Sequence, residues 1–260
     1  MYVDMLQQPD FSSYDLTSLT TGIMAGSPCP PELVKNVINA MNLPEFTIAY
    51  GATESSPVTF IGYPRDDLYH KTHTVGCVGP HIEAKVVDPT SLALLPCGRQ
   101  GELWVRGHCV MRGYWGDAAS TANAITPEGW YRTGDLAILD PLGYCQIVGR
   151  LKDLVIRGGE NIYPAEVECV LHQMEGIAEA QVVGVSDDRM GEELCACIRL
   201  KQGSKLTPDD VRAFCQDKVA HFKVPRYVVM VDSFPLTVTG KIQKFMLQEQ
   251  MELKLSITKK

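Results

Sequence analysis

The chain lacks several features that would narrow its function at once. No apolar run approaches the ~20 residues that a membrane-spanning helix needs, and no basic run occurs apart from the terminal Lys259-Lys260 pair. The net charge of -7 argues against a surface that binds nucleic acid. The 9 cysteines include no CxxC pair, which favours free thiols in a reducing compartment. We therefore expect neither a transmembrane segment nor a nucleic-acid partner.

No targeting segment is expected at the start of this sequence. The first residues, MYVDMLQQPDFSSYDLTSL, are typical of the interior of a folded domain rather than of a cleavable leader. The chain is therefore expected to be a fragment of a longer protein. Its 260 residues, 45% of them hydrophobic, are enough for one large or two smaller domains.

The early part of the chain has a strand-turn-helix pattern. Ile23-Met24 precede the turn residues Gly26-Ser27, and Pro30-Pro31 then favour the start of a helix with one apolar face. On this pattern alone the segment is a plain connection between elements of an α/β fold.

Polar residues follow the next predicted strand. Phe46–Tyr50 has the pattern of a buried strand that is broken at Gly51, and Thr53 and Glu54 come just beyond it. Ligands of open α/β folds bind outside the carboxyl ends of strands, where a carboxylate could hold Mg²⁺ together with phosphate oxygens. A loop in which these residues only cap the next segment is the alternative.

Two further patterns divide the rest of the chain. Residues 75–148 contain β-branched runs separated by glycines, which predict a small sheet or barrel. After Asp153, helices starting at Pro164 and Thr207 alternate with strands, among them one in which Cys195 and Cys197 occupy alternate positions. This mixture predicts a small α+β domain of about a hundred residues.

His70 and His73 have a metal-like spacing without further ligands, so we expect solvated loop histidines.

The richest stretch is YRTGDLAILDPLGYCQIVGRLKDLVIRGGENIYPAEVE, residues 131–168. Asp135 could offer two carboxylate oxygens to neighbouring ribose hydroxyls, and the Arg150 guanidinium could reach a phosphate or ribose oxygen. Gly158-Gly159 permits positive φ and close approach of a ligand. An ordinary turn at Gly134-Asp135 and a hairpin at Gly158-Gly159 are the alternatives.

In this order the motifs resemble those of the acyl-adenylate-forming enzymes, which include acyl-CoA synthetases, luciferases and adenylation domains. The resemblance implies that residues 1–151 are the C-terminal portion of a large AMP-binding domain, an α/β part with a small β-subdomain. Residues 152–260 would be a small mobile α+β domain, joined at a hinge at Lys152-Asp153.

The resemblance also implies roles for residues at matching motif positions. Nucleotide-binding positions are Gly26 and Ser27 at the adenine, Tyr50 and Gly51 in YGATE, Asp135 at the ribose, and Arg150. Thr53 would contact the α-phosphate and Glu54 would bind Mg²⁺, while Gly158 and Gly159 would line the channel for CoA. Lys241, within PLTVTGKIQK, would be the catalytic lysine for adenylation.

The implied reaction joins a fatty acid, medium-chain in length, to CoA at the expense of ATP, through an acyl-adenylate. The implied location is the mitochondrial matrix. An adenylation domain that loads a carrier protein, a luciferase-like enzyme and a noncatalytic binding module are the alternatives. The family's TSGTTG-like phosphate loop does not occur in the sequence. We therefore expect the 260 residues alone to be inactive, and the small domain from about Leu154 to fold by itself.

Overall fold

A computed structural model describes residues 1–238 and 240–257. Thr239 of the predicted lysine motif and the Lys259-Lys260 pair lie outside the described residues. The chain divides into two compact units, Met1–Val148 and Gly149–Lys260. The predicted domain boundary between residues 151 and 152 lies close to this division and remains a prediction.

The first unit opens with a four-stranded sheet in the order β1-β2-β3-β4. Its elements are α1 (Tyr2–Leu6), β1 (Thr21–Met24), α2 (Pro31–Ala40), β2 (Glu45–Tyr50), β3 (Phe60–Ile61), α3 (Leu68–His73) and β4 (Cys77–Val78). Strands β1 and β2 are parallel, and the other pairs are antiparallel. The parallel pair brings the carboxyl ends of β1 and β2 to one edge of the sheet, where α/β folds bind ligands.

Helix α2 confirms the predicted strand-turn-helix connection. It begins at Pro31, whose missing amide hydrogen is no loss in the first turn of a helix. Val34 and Val37 are fully buried and pack in one cluster with Phe46 of β2. Burial of each such side chain contributes roughly 1.5–3 kcal/mol, so this apolar face holds the helix on the sheet.

The second sheet of this unit confirms the predicted β-subdomain. It is built from β5 (Ile82–Val87), β6 (Gln100–Gly107), α4 (Ala118–Ala124), β7 (Tyr131–Leu139) and β8 (Cys145–Arg150), with the strands in the order β5-β6-β7-β8. Asp117 caps α4 by accepting a hydrogen bond from the Ser120 amide at 2.8 Å. Strand β6 is central, and its side chains Leu103 and Val105 are fully buried.

The second unit is a five-stranded sheet with helices, as the predicted α+β composition requires. Its elements are β9 (Val155–Arg157), β10 (Glu160–Ile162), α5 (Pro164–Leu171), β11 (Ile177–Asp187), β12 (Gly191–Leu200), α6 (Pro208–Gln216), β13 (Tyr227–Met230) and α7 (Lys244–Lys254). The order is β10-β9-β12-β11, with β13 paired parallel to β12. Thr207 and Asp210 form a capping box at the start of α6, where the sequence predicts a helix start.

Strand β12 separates two hydrophobic clusters in this unit. Leu194, Ala196 and Ile198 belong to one cluster, and Cys195 and Cys197 belong to the other. The alternation predicted for the cysteine pair is confirmed, because successive side chains of a strand point to opposite faces. All 9 cysteines are free, as expected.

Some details differ from the sequence predictions. His70 lies in α3 rather than in a loop, because Asp67 caps this short helix by accepting from the His70 amide at 2.9 Å. Its ring is half-buried, with its centroid 4.1 Å from that of Tyr144. Met174 and Val219 continue the helical spacing of apolar residues in the sequence, which predicts that they belong to α5 and α6, but they lie beyond the ends of these helices and pack on the core from the following turns. Within the described ranges, no helix has the length and apolarity needed to cross a membrane.

We predict that a polypeptide of residues 149–260 folds alone and unfolds in one cooperative transition. Both hydrophobic clusters around β12 consist entirely of residues from this unit. Urea titration followed by far- and near-UV circular dichroism should give coincident curves, with a slope of about 1–3 kcal/mol/M. Loss of the near-UV signal before the far-UV signal would contradict the prediction, since it would reveal an unpacked core.

Candidate functional site

The turn after β2 has room only for glycine at its first position. A Cβ atom on Gly51 would lie 1.9 Å from the carbonyl oxygen of Pro57. The chain turns back through Ser56, which has a left-handed φ of 49°. The backbone is therefore folded tightly around Thr53 and Glu54, the two polar residues predicted beyond this strand.

Glu54 is held by partners from a later loop of the same unit. Its carboxylate accepts a hydrogen bond from the Tyr114 hydroxyl at 2.9 Å, and its carbonyl accepts one from the Met111 amide at 2.8 Å. The hydrogen bond to Glu54, and to a lesser extent burial, raises the pKa of Tyr114. The phenol therefore remains a donor to Glu54 at neutral pH, which orients the carboxylate.

The YRTGD motif lies in β7, where it forms a bulge rather than a terminal turn. The pairing with β6 shifts register between Glu102–Leu136 and Trp104–Arg132. Gly134 takes a positive φ of 70°, which other residues rarely adopt. The Thr133 hydroxyl donates to the Leu103 carbonyl at 2.7 Å. Such bulges redirect side chains near functional sites, and this one sets the direction of Asp135.

Tyr50 and Asp135, two predicted nucleotide-binding residues, are in direct contact. The Tyr50 hydroxyl donates to the Asp135 Oδ2 atom at 2.6 Å, although 85 positions separate them in the chain. Burial, followed by the nearby Asp135 charge, raises the pKa of Tyr50, so the phenol stays protonated. Asp135 is 7% exposed. The end of β2 and the bulge of β7 thus meet at one carboxylate.

The other predicted nucleotide residues of this unit lie in exposed turns. Gly26 follows β1 with a φ of 84°, and a Cβ atom there would have no neighbour within 4 Å. Ser27 is exposed beside it. Because β1 and β2 are parallel neighbours, Gly26 and Gly51 follow strands that end at the same edge of the sheet.

In the second unit, Gly158 and Gly159 form the tight turn between β9 and β10. Both have positive φ, 58° and 87°, as a two-residue hairpin of the I′ type requires. Lys152 and Asp153 lie in a 3₁₀ turn that follows Arg150, the last residue of β8. The hairpin alternative is therefore correct as a description of the backbone, while the predicted CoA contact remains a prediction.

Lys241 is an exposed residue in a hairpin-like turn before α7. Its amide donates to the Thr237 hydroxyl at 3.0 Å, and its carbonyl accepts from the Thr237 amide at 2.8 Å. A few residues later, Lys244 pairs with the buried Glu168 of α5 at 2.6 Å. This pair fixes the start of α7 and hence one end of the lysine turn.

Glu102 and Tyr114 are contacts of the predicted site that the sequence prediction missed. Glu102 accepts from the Gly134 amide at 3.1 Å, and Tyr114 donates to Glu54. The signal for Glu102 was available, because a carboxylate inside the apolar strand GELWVRG requires a buried partner. No local pattern marked Tyr114, whose partner lies 60 positions earlier.

Glu54 is the residue here that could bind Mg²⁺. In the part of the chain that the structure describes, no three His, Cys, Asp or Glu side chains are grouped as a metal site would need. A single carboxylate nevertheless fits Mg²⁺, which takes one or two carboxylates and completes its shell with phosphate oxygens and water. The donor set therefore suits a metal that arrives with a nucleotide.

Comparisons with known proteins identify the family of this chain. A model of the AMP-binding enzyme family matches residues 1–115, and a model of the AMP-binding enzyme C-terminal domain matches residues 166–241. Together the two models cover more than half of the chain.

The medium-chain acyl-CoA ligase ACSF2, mitochondrial, of Danio rerio is 57% identical over 257 residues, which are 99% of this chain and 42% of the relative. The ATP-bound structure of MatB from Rhodopseudomonas palustris has a TM-score of 0.87 and 30% identity, over 96% of this chain and 49% of that one.

The anthranilate CoA ligase AuaEII in complex with anthranoyl-AMP has a TM-score of 0.88 and 28% identity, over 98% of this chain and 49% of that one.

The chain spans less than half the length of these proteins. Its α/β and α+β fold and its resemblance to the acyl-adenylate-forming enzymes are confirmed. On its two domain matches and its similarity to these relatives over nearly its whole length, this chain belongs to the AMP-binding enzyme family.

Proposed function

We propose that the protein is an ATP-dependent acyl-CoA ligase of the mitochondrial matrix, which activates medium-chain fatty acids as acyl-adenylates and transfers them to CoA. Asp135 supports this function most directly. A nearly buried carboxylate, aimed by a bulge and held by Tyr50, suits two adjacent ribose hydroxyls as donors. The 57% identity to the medium-chain acyl-CoA ligase of Danio rerio supports the choice of substrates.

The first half-reaction forms the acyl-adenylate. A carboxylate oxygen of the fatty acid attacks the α-phosphorus of ATP, and the bond to the bridging oxygen of pyrophosphate breaks. Asp135 and Arg150 hold the nucleotide, with Gly26 and Ser27 at its adenine side, Gly51 also in contact with it, and Thr53 at the α-phosphate. Mg²⁺ bound at Glu54 would offset phosphate charge, and the Lys241 ammonium would stabilise the charge where carboxylate and phosphate approach.

The second half-reaction forms the thioester. The CoA sulfur attacks the acyl carbon, the thiol proton is lost, and AMP leaves with the former carboxylate oxygen. The backbone at Gly158-Gly159 would line the channel for the pantetheine arm. A rotation at Lys152-Asp153 between the two half-reactions would withdraw Lys241 and present this turn, as a gating step.

A chimaera tests the proposed function. It consists of the Danio rerio relative with the matching 257 residues replaced by those of this chain. We expect ATP–pyrophosphate exchange that is stimulated by medium-chain fatty acids, followed by acyl-CoA formation. The Danio rerio protein truncated before this segment is the control and should be inactive.

Other outcomes would support the alternatives or overturn the function. Exchange without transfer to CoA, but with transfer to a carrier protein, would favour a carrier-loading adenylation domain. Binding of ATP by a folded chimaera, without exchange for any acid, would favour a binding module. Either result would reject the proposed ligase.

We predict that Asp153→Pro in the chimaera spares adenylate formation and abolishes thioester formation. Asp153 ends the 3₁₀ turn between β8 and β9. Proline fixes φ at this position and restricts the residue before it, so a rotation that uses these bonds is blocked. Pyrophosphate exchange and CoA consumption are measured separately. Asp153→Ala is the matched control, because it removes the side chain and leaves the backbone free. Normal thioester turnover in the proline variant would place the rotation elsewhere.

A further inference from the structure

Glu102 is a buried carboxylate in the middle of β6. It is 8% exposed and is flanked by the fully buried Leu103 and by Gly101. Removing a carboxylate from water is costly unless its oxygens find donors. The donors to its two oxygens therefore show which groups this carboxylate holds in place.

Each oxygen of Glu102 accepts one hydrogen bond from within the sheet. Oε1 accepts from the Gly134 amide at 3.1 Å, and Oε2 accepts from the Trp104 indole Nε1 at 2.8 Å. Gly134 is the bulge residue with positive φ that directly precedes Asp135. A bulge leaves one residue without a ladder partner. At this bulge, the Glu102 side chain supplies an acceptor for the Gly134 amide.

Trp104 is itself fixed on the face of this sheet. The Lys85 ammonium lies 4.9 Å from its ring centroid, and the Arg132 guanidinium carbon lies at the same distance. Trp104 is 6% exposed. Cations stacked on a buried indole restrict its rotation, so the indole holds the second oxygen of Glu102 in place.

We infer that Glu102 is a positioning residue for the nucleotide site. It anchors the Gly134 amide, so that Asp135 points its carboxylate at the ribose hydroxyls and toward Tyr50. Glu102 need not touch the nucleotide. This inference rests on the proposed function, because it assigns Asp135 to the ribose.

Glu102→Gln in the chimaera tests the inference with little change in volume. The glutamine amide has a single acceptor oxygen, so it cannot serve both Gly134 and Trp104. We expect the Kd for ATP to rise about ten-fold, as for the loss of one charge-assisted hydrogen bond near the ligand. Calorimetric titration with ATP measures the Kd, and thermal melting monitors folding.

A second substitution separates positioning from general damage. Trp104→Phe leaves Oε2 of Glu102 without its donor but keeps the bond from the Gly134 amide to Oε1, so the Kd for ATP should rise less than in Glu102→Gln. In the Glu102→Gln, Trp104→Phe double variant the glutamine oxygen is free to accept from Gly134. ATP affinity should therefore be closer to that of the parent than in Glu102→Gln alone.

Hydrogen exchange gives a readout that does not depend on nucleotide. Peptides covering β7 should exchange faster in Glu102→Gln than in the parent chimaera. Glu83→Gln is the matched control, because it neutralises a carboxylate of the same sheet that pairs with Arg106 at its surface. It should change neither β7 exchange nor ATP affinity.

The outcomes distinguish the inference from the proposed function. Unchanged β7 exchange and unchanged ATP affinity in Glu102→Gln would overturn the inference while the parent chimaera still makes acyl-CoA. Faster β7 exchange in a chimaera that never binds ATP would overturn the proposed function, and with it the role of Glu102 toward a nucleotide. Equal loss of affinity in Glu102→Gln and in the double variant would show general damage and would also overturn the inference.

Discussion

Lys241→Ala in the chimaera should lower the rate of adenylate formation by about two to three orders of magnitude, the usual effect of losing one stabilising group of a transition state. Conversion of supplied acyl-adenylate and CoA to thioester should be largely unchanged. The reason is that Lys241 is proposed to act only while the acyl carboxylate and the α-phosphate approach each other. The two half-reactions are measured separately, by pyrophosphate exchange and by thioester formation.

The design separates the charge of Lys241 from its part in the turn. The turn itself is held by backbone bonds to Thr237, so truncation of the side chain should leave it folded. Lys205→Ala, which removes another exposed lysine of the same unit, is the matched control and should leave both half-reactions intact. An equal loss of rate in both half-reactions of Lys241→Ala would show that the lysine is structural. It would reject the proposed rotation, in which Lys241 is withdrawn before thioester formation.

Arg157→Met should destabilise the second unit by about 3–5 kcal/mol, the cost of leaving a buried charge without its partner. Glu193 is 1% exposed and accepts from Arg157 Nε at 2.6 Å and from its terminal nitrogen at 3.0 Å. Only the longer 3.4 Å contact with Arg226 would remain among the ion pairs that the described residues give Glu193. Urea unfolding of residues 149–260 measures the loss.

The more exposed pair of Arg199 and Glu179 in the same unit provides the control. Both side chains are 31% exposed, and their closest atoms are 3.1 Å apart. Because solvent screens such a pair, Arg199→Met should cost only about 0–1 kcal/mol. Similar losses in the two variants would mean that burial does not set the strength of the Arg157 pair. Since Arg157 directly precedes Gly158, its loss should also loosen the proposed CoA turn.

Local chemistry was enough to predict the elements with strong start signals. Pro31, Pro164 and Thr207 mark helix starts by their backbone geometry and hydrogen bonding, and the structure confirms helices at each. The helix ends were predicted less well. Met174 keeps the helical spacing of apolar residues but lies in a turn, because a tertiary contact can be made equally well from a turn.

The candidate site was only partly predictable. The motifs predict a nucleotide-binding role for Tyr50 and Asp135, but nothing in either motif indicates that the two side chains touch. That contact depends on the register of β6 and β7, and the bulge that sets it is a property of two strands together. Tyr114 was missed for the same reason, since it acts across the chain. Glu102 carried a local signal as a carboxylate within an apolar strand, but its partner on β7 depends on the same register.

The buried cysteines give the chain an internal reporter of its own unfolding. Burial raises the pKa of the Cys215 thiol to about 11 and that of Cys29 to about 12, and it also raises the pKa of Cys145. Since the thiolate is the species that reacts with alkylating reagents, Cys145 and Cys215 are protected both by burial and by protonation, and the partly buried Cys29 is protected mainly by protonation. Cys97, in contrast, is exposed. Alkylation should thus label Cys97 in the native protein, and reach Cys145 only as the first unit opens and Cys215 only as the second unit opens, so each unit's opening can be timed without an added probe.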